Sequence, residues 1–204
     1  MDGLSSDVAF SAAVKAIQTR KGSRETFAGR AGAWPTEITP DLAALIEAQV
    51  SVFLGTASAD GEPYIQHRGG PAGFLKVLDP CTIAFADFAG NRQYITQGNL
   101  SENPRAILFV MDFMQKQRVK IWGDARIVEG DDALVAQLMP QNYRARPEQV
   151  LIFTVTAWNQ NCSQHIPQRF EAADVARALA TREARIKVLE DEVARLKAQA
   201  TPSS

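Results

Sequence analysis

Apolar stretches of strand length, separated by Gly, Pro and Asp turns, dominate the middle of the chain. A β-branched and apolar stretch from Val50 to Ser58 is followed by Asp60-Gly61 and then by a second stretch from Pro63 to Arg68. Asp-Gly suits the positive-φ turns whose twist matches that of paired strands, so this segment predicts a β-hairpin. Further strands are predicted at Thr82–Ala86, Arg105–Asp112, Arg118–Val128 and Val150–Trp158. Because strands outnumber core helices, the pattern favours an antiparallel barrel with small helices outside it.

The N-terminal segment contains the first helix signal. Ser6 or Asp7 is expected to cap a helix that places Phe10, Val14 and Ile17 on one face. The start of the chain has neither a cationic region nor a long apolar run. No signal peptide is therefore expected, and the cytoplasm is the default compartment.

Two more helices and a loop are predicted around the strands. Thr39-Pro40 begins a helix that runs to about Ala48, because Thr is a favoured N-cap and Pro loses no hydrogen bond at the first helical position. A helix is also expected from Asp131 to Leu138, ending before Pro140. The Gly-rich polar segment Lys21–Trp34 is expected to form a long loop or arm.

The C-terminal segment, from about Asp174 to Gln199, has the heptad pattern of a coiled-coil-like helix. Its apolar seam, with one polar residue, consists of Val175, Leu179, Arg182, Ile186, Leu189, Val193 and Leu196. β-branched residues at two a positions, with Leu at the last two d positions, favour a parallel dimer. Opposite charges at g and the following e positions favour pairing of two helices over a helix that lies on its own domain; the pairs are Arg185–Glu190 and Glu192–Lys197.

Composition narrows the class of protein. The 204 residues suffice for one domain with appendages: N-terminal helices and an arm (1–49), a barrel (50–170) and a C-terminal helix (171–204). A net charge of −1 gives no global cationic field for nucleic acid, and no apolar run reaches the ~18 residues of a membrane span. Two cysteines, Cys81 and Cys162, do not suggest a disulfide framework.

A compact polar group, Asn91, Arg92 and Gln93, follows the third predicted strand and precedes a predicted short helix. Arg118 and Lys120 alternate with apolar residues on a later strand, so they share one face of it. A guanidinium binds phosphate bidentately, and amide groups can contact the edge of a ring. These residues therefore predict a site for a phosphorylated planar ligand. A solvated turn arginine and a solvated strand face are the alternatives.

The order of these segments resembles that of the split-barrel flavin family related to pyridoxamine 5′-phosphate oxidase. The resemblance covers roughly Val50 to Arg169 and rests on HRGGPAGFLKV (His67–Val77), FADFAGNRQYIT (Phe85–Thr96), Asn103-Pro104, RVKIWGDARIV (Arg118–Val128) and NCSQHIPQR (Asn161–Arg169). The branch described as predicted flavin-nucleotide-binding proteins is the most similar. The resemblance implies a mainly β fold with peripheral helices: an FMN-binding split β-barrel, followed by the coiled-coil-like helix. It also implies a homodimer with the flavin site at the interface.

The resemblance further implies a set of cofactor-binding residues. These are Arg68, Gly69, Gly70, Lys76, Asp87, Asn91, Arg92, Gln93, Arg118, Lys120, His165 and Arg169. Arg92 is the leading phosphate ligand and Lys76 a second contact. The oxidase has two adjacent basic residues where this chain has Arg92-Gln93, and Arg68 is a candidate to replace the missing charge. The pair Gly69-Gly70 either lets a ligand approach the backbone or forms only a bulge or turn.

A cation from Arg118 or Lys120 near the flavin ring would stabilise negative charge on reduced flavin. For the segment Asn161–Arg169, the resemblance implies that it closes over the flavin, with His165 or Arg169 near the ring or the substrate. A structural histidine is the alternative.

Two other hypotheses concern the cysteines and histidines. His67, Cys81, Cys162 and His165 would supply the four ligands that zinc needs, but only Cys162 and His165 have ligand-like spacing, so no metal is expected. A nucleophilic pair of Cys162 and His165 has only proximity in its favour.

The function that the resemblance implies is a flavin-dependent oxidoreductase, in which a small-molecule substrate or NAD(P)H reduces FMN by hydride transfer. The last resembling segment, NCSQHIPQRF, lacks the Arg-x-His-type substrate motif and the Trp-containing end strand of the oxidase. A different substrate is therefore expected, and no acid/base pair identifies catalytic residues. A non-catalytic FMN carrier or redox sensor, or a haem- or deazaflavin-binding relative, is the alternative.

Overall fold

Seven antiparallel strands form one sheet in the computed structural model, which describes residues 4–161 and 163–200. The strands are β1 (Ser51–Ala57), β2 (Pro63–Gly69), β3 (Lys76–Asp79), β4 (Thr82–Phe88), β5 (Arg105–Asp112), β6 (Gln117–Val128) and β7 (Pro147–Asn161). They lie in the order β2-β1-β5-β6-β7-β4-β3, and each neighbouring pair is antiparallel. The predicted hairpin is confirmed, since Ala57 pairs with Pro63 across a turn in which Gly61 has a φ of 90°.

Five α-helices occur in the described residues. They are α1 (Ala12–Arg20), α2 (Pro40–Glu47), α3 (Ile95–Glu102), α4 (Asp132–Leu138) and α5 (Ala172–Ala200). The predicted start of α2 is confirmed, because the Thr39 hydroxyl accepts a hydrogen bond from the Leu42 N–H at 3.3 Å. Asp131 caps α4 in the same way, accepting from the Leu134 N–H at 2.9 Å. The predicted architecture, mainly β with peripheral helices and a C-terminal helix, is confirmed.

The first helix begins later than predicted. Both predicted caps, Ser6 and Asp7, lie in a short 3-10 helix, Ser5–Val8. The α-helix follows only at Ala12, and its cap is Ser11, whose hydroxyl accepts a hydrogen bond at 3.3 Å from a backbone N–H of the first turn. The prediction of Ser6 or Asp7 as the cap is therefore wrong.

Aromatic packing explains the late start of this helix. Phe10 lies ahead of α1, and its ring meets those of Phe27 and Trp34 edge-on at centroid distances of 5.6 and 5.1 Å. Trp34 stacks in turn on Trp122 of β6 at 4.8 Å. The predicted arm Lys21–Trp34 thus reaches the sheet, and it contains two short 3-10 helices, Glu25–Phe27 and Gly29–Gly32.

Two apolar clusters pack on opposite faces of the sheet, because alternate residues of each strand point to opposite sides. Ile83 and Phe85 of β4 belong to the larger cluster, together with Val52, Leu54, Leu108, Ile121 and Phe153. Ala84 and Ala86 of β4 belong to the smaller cluster, together with Leu138 of α4 and Val150 of β7. The face toward the larger cluster is called the inner face below, and the opposite one the outer face.

The two ends of the sheet meet around the inner face. β2 is one edge of the strand order and β4 is next to the other edge, yet Arg68 of β2 and Asp87 of β4 form an ion pair. Phe74, which follows β2, packs edge-on against Phe85 of β4 with centroids 6.1 Å apart. The sheet therefore curls around the larger cluster, and the predicted barrel is confirmed.

The described residues divide into two compact units, 4–112 with 117–161 and 163–164, and 113–116 with 165–200. The second unit contains α5. Ahead of α5, the backbone N–H of Arg169 donates to the carbonyl of Phe113 at 3.2 Å, and its guanidinium lies 4.6 Å from the Phe113 ring centroid. Within residues 4–161 and 163–200, no helix has the length and apolar character needed to cross a membrane.

Candidate functional site

A polar cluster of Arg68, Asp87 and Gln149 lies where β2 meets β4. The Arg68 Nε lies 2.8 Å from Oδ1 of Asp87, which makes an ion pair without the geometry of a hydrogen bond. The Arg68 Nη2 donates a hydrogen bond to Oδ2 of Asp87 at 3.3 Å. The Gln149 amide donates to the same Oδ2 at 3.1 Å. The side chains of Arg68 and Asp87 are only 14% and 9% exposed, so their charges largely neutralise each other away from solvent.

The register of the strands explains why these side chains meet. Asp87 pairs directly with Gln149 across β4 and β7, and it points inward because it is two residues from the buried Phe85. Arg68 pairs with Val52, a residue of the larger cluster, and therefore also points inward. The cluster thus replaces apolar residues at one end of the barrel interior.

The loop after β4, Gly90–Tyr94, has an unusual backbone. Arg92 and Tyr94 have φ angles of 57° and 54°, a left-handed conformation that costs a non-glycine residue roughly 1–2 kcal/mol. Asn91 braces the loop, because its Oδ1 accepts from the Gln93 N–H at 3.2 Å and its Nδ2 donates to Oε1 of Gln93 at 3.4 Å. Backbone strain of this kind is concentrated at functional sites, so its occurrence at an exposed arginine indicates a candidate binding site.

Helix α3 begins directly after this loop without a side-chain cap. Tyr94 occupies the N-cap position and gives no capping hydrogen bond. Its hydroxyl instead donates to Oε1 of Glu148 at 2.9 Å, and this bond raises the pKa of Tyr94. The Tyr94 side chain therefore does not cap the N–H groups of the first turn, and the positive end of the helix dipole faces the same loop as Arg92. Such a helix start suits a phosphate or another anion.

Two small cavities open beside these groups. One, of ≈ 50 Å³, is lined by Arg68, Asp87, Asn91, Arg92 and the start of α3. The other, of ≈ 200 Å³, is lined by Gly69 together with Arg68 and Asp87. Both are smaller than the roughly 300–1,000 Å³ of small-molecule pockets. Within the single chain, therefore, these cavities can receive only part of a nucleotide-sized ligand.

Other residues of the predicted set lie elsewhere on the sheet. Lys120 pairs with Phe109 on the outer face, and Arg118 shares that face with it, as expected from their spacing. The Arg118 Nε is buried and has no hydrogen-bond partner among the described residues. Lys76 pairs with Ala84, so it also lies on the outer face but near the other edge of the sheet. The structure does not bring these three side chains to the Arg68 cluster.

The paired glycines are explained by packing within the chain. A Cβ atom on Gly70 would lie 2.7 Å from the Cβ of Phe74. On Gly69 it would lie 2.9 Å from Cε1 of His67, whose Nε2 is 2.8 Å from the Ser51 hydroxyl. The contact at Gly70 favours the bulge or turn alternative, since the Phe74 side chain fills the space next to it, whereas Gly69 also lines the cavity of ≈ 200 Å³.

The last part of the predicted set lies in the second unit. His165 has a φ of 63°, and Arg169 contacts Phe113 as described above. Cys162 lies outside the described residues, so the two hypotheses that involve it stay untested. Within the described ranges, no group of three or more His, Cys, Asp or Glu side chains is placed to hold a metal ion.

A larger cavity, of ≈ 1070 Å³, lies on the outer face and was not predicted. Five strands and the N-terminal 3-10 helix contribute its walls, which include Gly55, Ile65, Ile107, Trp122, Arg105 and Asp124. A Cβ atom on Gly55 would lie 2.7 Å from Cγ2 of Ile107, so this position needs glycine. Its size is that of a pocket for a whole small molecule.

Sequence reasoning also missed the polar residues that complete the inner cluster. Gln149 is buried against Asp87, and Tyr94 and Glu148 join the loop to β7. The only signal was the polar pair Glu148-Gln149 at the start of an apolar strand. Such a pair does not indicate its partner, which lies 62 residues away along the chain.

Comparisons with known proteins show what the chain is similar to. A family model described as pyridoxamine 5′-phosphate oxidase matches residues 38–162, more than half of the chain. No curated protein matches the chain. HupZ of Group A Streptococcus is 22% identical, with a TM-score of 0.48 and coverage of 65% of this chain and 99% of that one. An FMN-binding protein from Syntrophomonas wolfei is 13% identical, with a TM-score of 0.47 and coverage of 74% and 95%.

Proposed function

The chain belongs to the pyridoxamine 5′-phosphate oxidase family, and on this premise we propose that it binds FMN and acts as a flavin-dependent oxidoreductase. The proposed substrate differs from pyridoxamine 5′-phosphate. The observation that carries the proposal is the strained loop with Arg92 at the uncapped start of α3, inside the matched residues.

The loop after β4 is proposed to hold the phosphate of FMN. Arg92 supplies an exposed guanidinium, which binds phosphate through two hydrogen bonds, and the first turn of α3 supplies backbone N–H groups. Asn91 fixes the shape of the loop by its two contacts with Gln93. Arg68 is expected to contribute less charge, because Asp87 already neutralises it.

The outer face is proposed to complete the site with a second copy of the chain. Phe53 of β1 and Ile65 of the edge strand β2 are 37% and 65% exposed on this face, so two large apolar side chains there are uncovered. Arg118 and Lys120 lie on the same face and are assigned to the flavin ring, where positive charge favours reduction. A homodimer with the flavin at its interface would explain why the inner cavities of one protomer are small.

The chemistry in this proposal would come from the cofactor, because FMN, when bound, would supply the capacity for hydride transfer from a reduced substrate or from NAD(P)H. The protein binds the phosphate, orients the ring and supplies charge beside it. No side chain is assigned as a catalytic acid or base.

The proposal is tested by the absorption spectrum of the purified protein, followed by anaerobic mixing with NADH or NADPH. We expect flavin bands that bleach on mixing with one of the two donors. Flavin bands that neither donor nor a panel of reduced metabolites bleaches would indicate a carrier or redox sensor. A haem Soret band or a deazaflavin spectrum would contradict the proposal, because the protein would then bind haem or a deazaflavin instead of FMN.

A further inference from the structure

Helix α5 presents an uncovered apolar stripe along its length. It is one continuous helix, Ala172–Ala200, and every residue from 175 to 199 is exposed. The stripe residues are 43–54% exposed: Val175, Leu179, Ile186, Leu189, Val193 and Leu196. An isolated helix gains little stability in water from propensity alone, so a stripe of this length calls for a partner surface.

We infer that α5 pairs with α5 of a second copy of the chain as a parallel two-stranded coiled coil. Ile186 and Val193 at a, with Leu189 and Leu196 at d, are the combination that favours two parallel strands. The stripe is narrow and charged residues flank it on both sides, as expected for a two-helix seam rather than for a broad contact with a domain. This inference does not depend on the flavin proposal.

The charges beside the seam set the direction of pairing. In a parallel pair, g of one helix faces the next e of the other, which brings Arg185 to Glu190 and Glu192 to Lys197. In an antiparallel pair with the same overlap, e faces e, and Glu183 would then meet Glu190 or a second Glu183. Like charges at these positions are unfavourable, so the sequence of signs favours the parallel arrangement.

The polar seam residue Arg182 fits the same arrangement. At d it would lie beside the e residue of the facing helix, which is Glu183 in a parallel pair. Its aliphatic stem can remain in the seam while the guanidinium reaches that carboxylate. One polar seam residue of this kind fixes register at a cost in stability.

Disulfide trapping in the full-length protein tests both the pairing and its direction. Leu196→Cys places a thiol at a d position, where a parallel pair brings the two Cβ atoms within disulfide reach. Ala198→Cys is the matched control, since it lies two residues further on at an outward f position. The unmodified chain measures the background from Cys81 and Cys162.

Under mild oxidation we expect Leu196→Cys to form covalent dimers at least about tenfold faster than Ala198→Cys, because facing seam residues share a high effective concentration. Equal rates for the two variants would overturn the pairing. Mixing Leu196→Cys with a Leu179→Cys chain of different size tests the direction. Preferential 196–179 crosslinks would show an antiparallel pair and overturn the parallel one.

Discussion

At the scale of single residues, the positive charge of the loop after β4 depends on Arg92. Arg68 is close in space, but its guanidinium already contacts the Asp87 carboxylate at 2.8 and 3.3 Å. The Gln149 amide donates to the same carboxylate. Arg92 is exposed and held in a left-handed backbone conformation at the start of α3. The two arginines therefore have different roles: Arg92 is available to a ligand, and Arg68 joins the ends of the sheet.

Replacing Arg92 by Ala should weaken FMN binding about ten- to hundredfold, because a charge-assisted hydrogen bond contributes roughly 1.5–3 kcal/mol. The melting temperature should change little, since the side chain is exposed. Fluorescence titration of FMN measures the affinity, with Arg20→Ala on α1 as a control that removes an exposed arginine elsewhere. An unchanged affinity in Arg92→Ala would contradict the phosphate assignment.

Replacing Asp87 by Asn should destabilise the barrel by roughly 3 kcal/mol, because it leaves the largely buried Arg68 without its counter-charge. Adding Arg68→Met should restore part of this loss, since neither charge is then buried. Urea unfolding of the two single variants and the double variant measures the coupling. If the unfolding free energies lost in the two single variants simply add up in the double variant, the ion pair does not hold the two ends of the sheet together.

At the scale of elements, the strands were predictable because their patterns are local. The limits of β5 agree with the prediction, and β6 differs from it by one residue. The start of α1 was not predictable, since Ser6, Asp7 and Ser11 are all suitable caps and the distant Phe27 and Trp34 decide between them by packing on Phe10. The outer-face cavity escaped prediction for the same reason, because it is assembled from five strands and an N-terminal turn.

Helix α5 provides a prediction at this scale. Truncation after Ala173 should leave a dimer that still binds FMN but has a lower melting temperature, by roughly 2–4 °C for each kcal/mol of pairing lost. Ile186→Asp should act likewise by placing a charge in the seam. Val188→Asp is the control, because Val188 is 55% exposed but lies outside the seam.

Two outcomes would contradict this account of α5. If light scattering finds a truncated monomer without flavin, the helix is the main dimer contact and the outer face of the sheet is not. If truncation changes neither the melting temperature nor the oligomeric state, α5 is a solvated helix.

At the scale of the whole molecule, the family that the sequence resemblance indicated is confirmed, because the family model matches residues 38–162. What the sequence could not provide is the closure of the barrel. Arg68 and Asp87 are 19 residues apart, and Gln149 is 62 residues beyond Asp87, so their contact depends on how the sheet curls. The loop Asn91–Gln93 was predictable because its contacts are local.

The purified protein should not oxidise pyridoxamine 5′-phosphate efficiently. Its family segment ends in NCSQHIPQRF and continues into α5, without the Arg-x-His-type substrate motif that the oxidase is expected to use. Pyridoxal phosphate formation under air, with FMN added, measures this activity. Rapid turnover would refute the prediction.

The central claim is that the loop after β4 and the start of α3 recognise the phosphate of a flavin nucleotide. The most direct measurement is a calorimetric titration of the flavin-free protein with FMN and, in parallel, with riboflavin, which has the same ring but no phosphate. We expect FMN to bind at least about ten- to hundredfold more tightly than riboflavin in the wild-type protein, and this preference to become much smaller in Arg92→Ala, which keeps only the N–H groups of α3. Equal affinities of the wild-type protein for FMN and riboflavin, or no binding of either, would contradict the account.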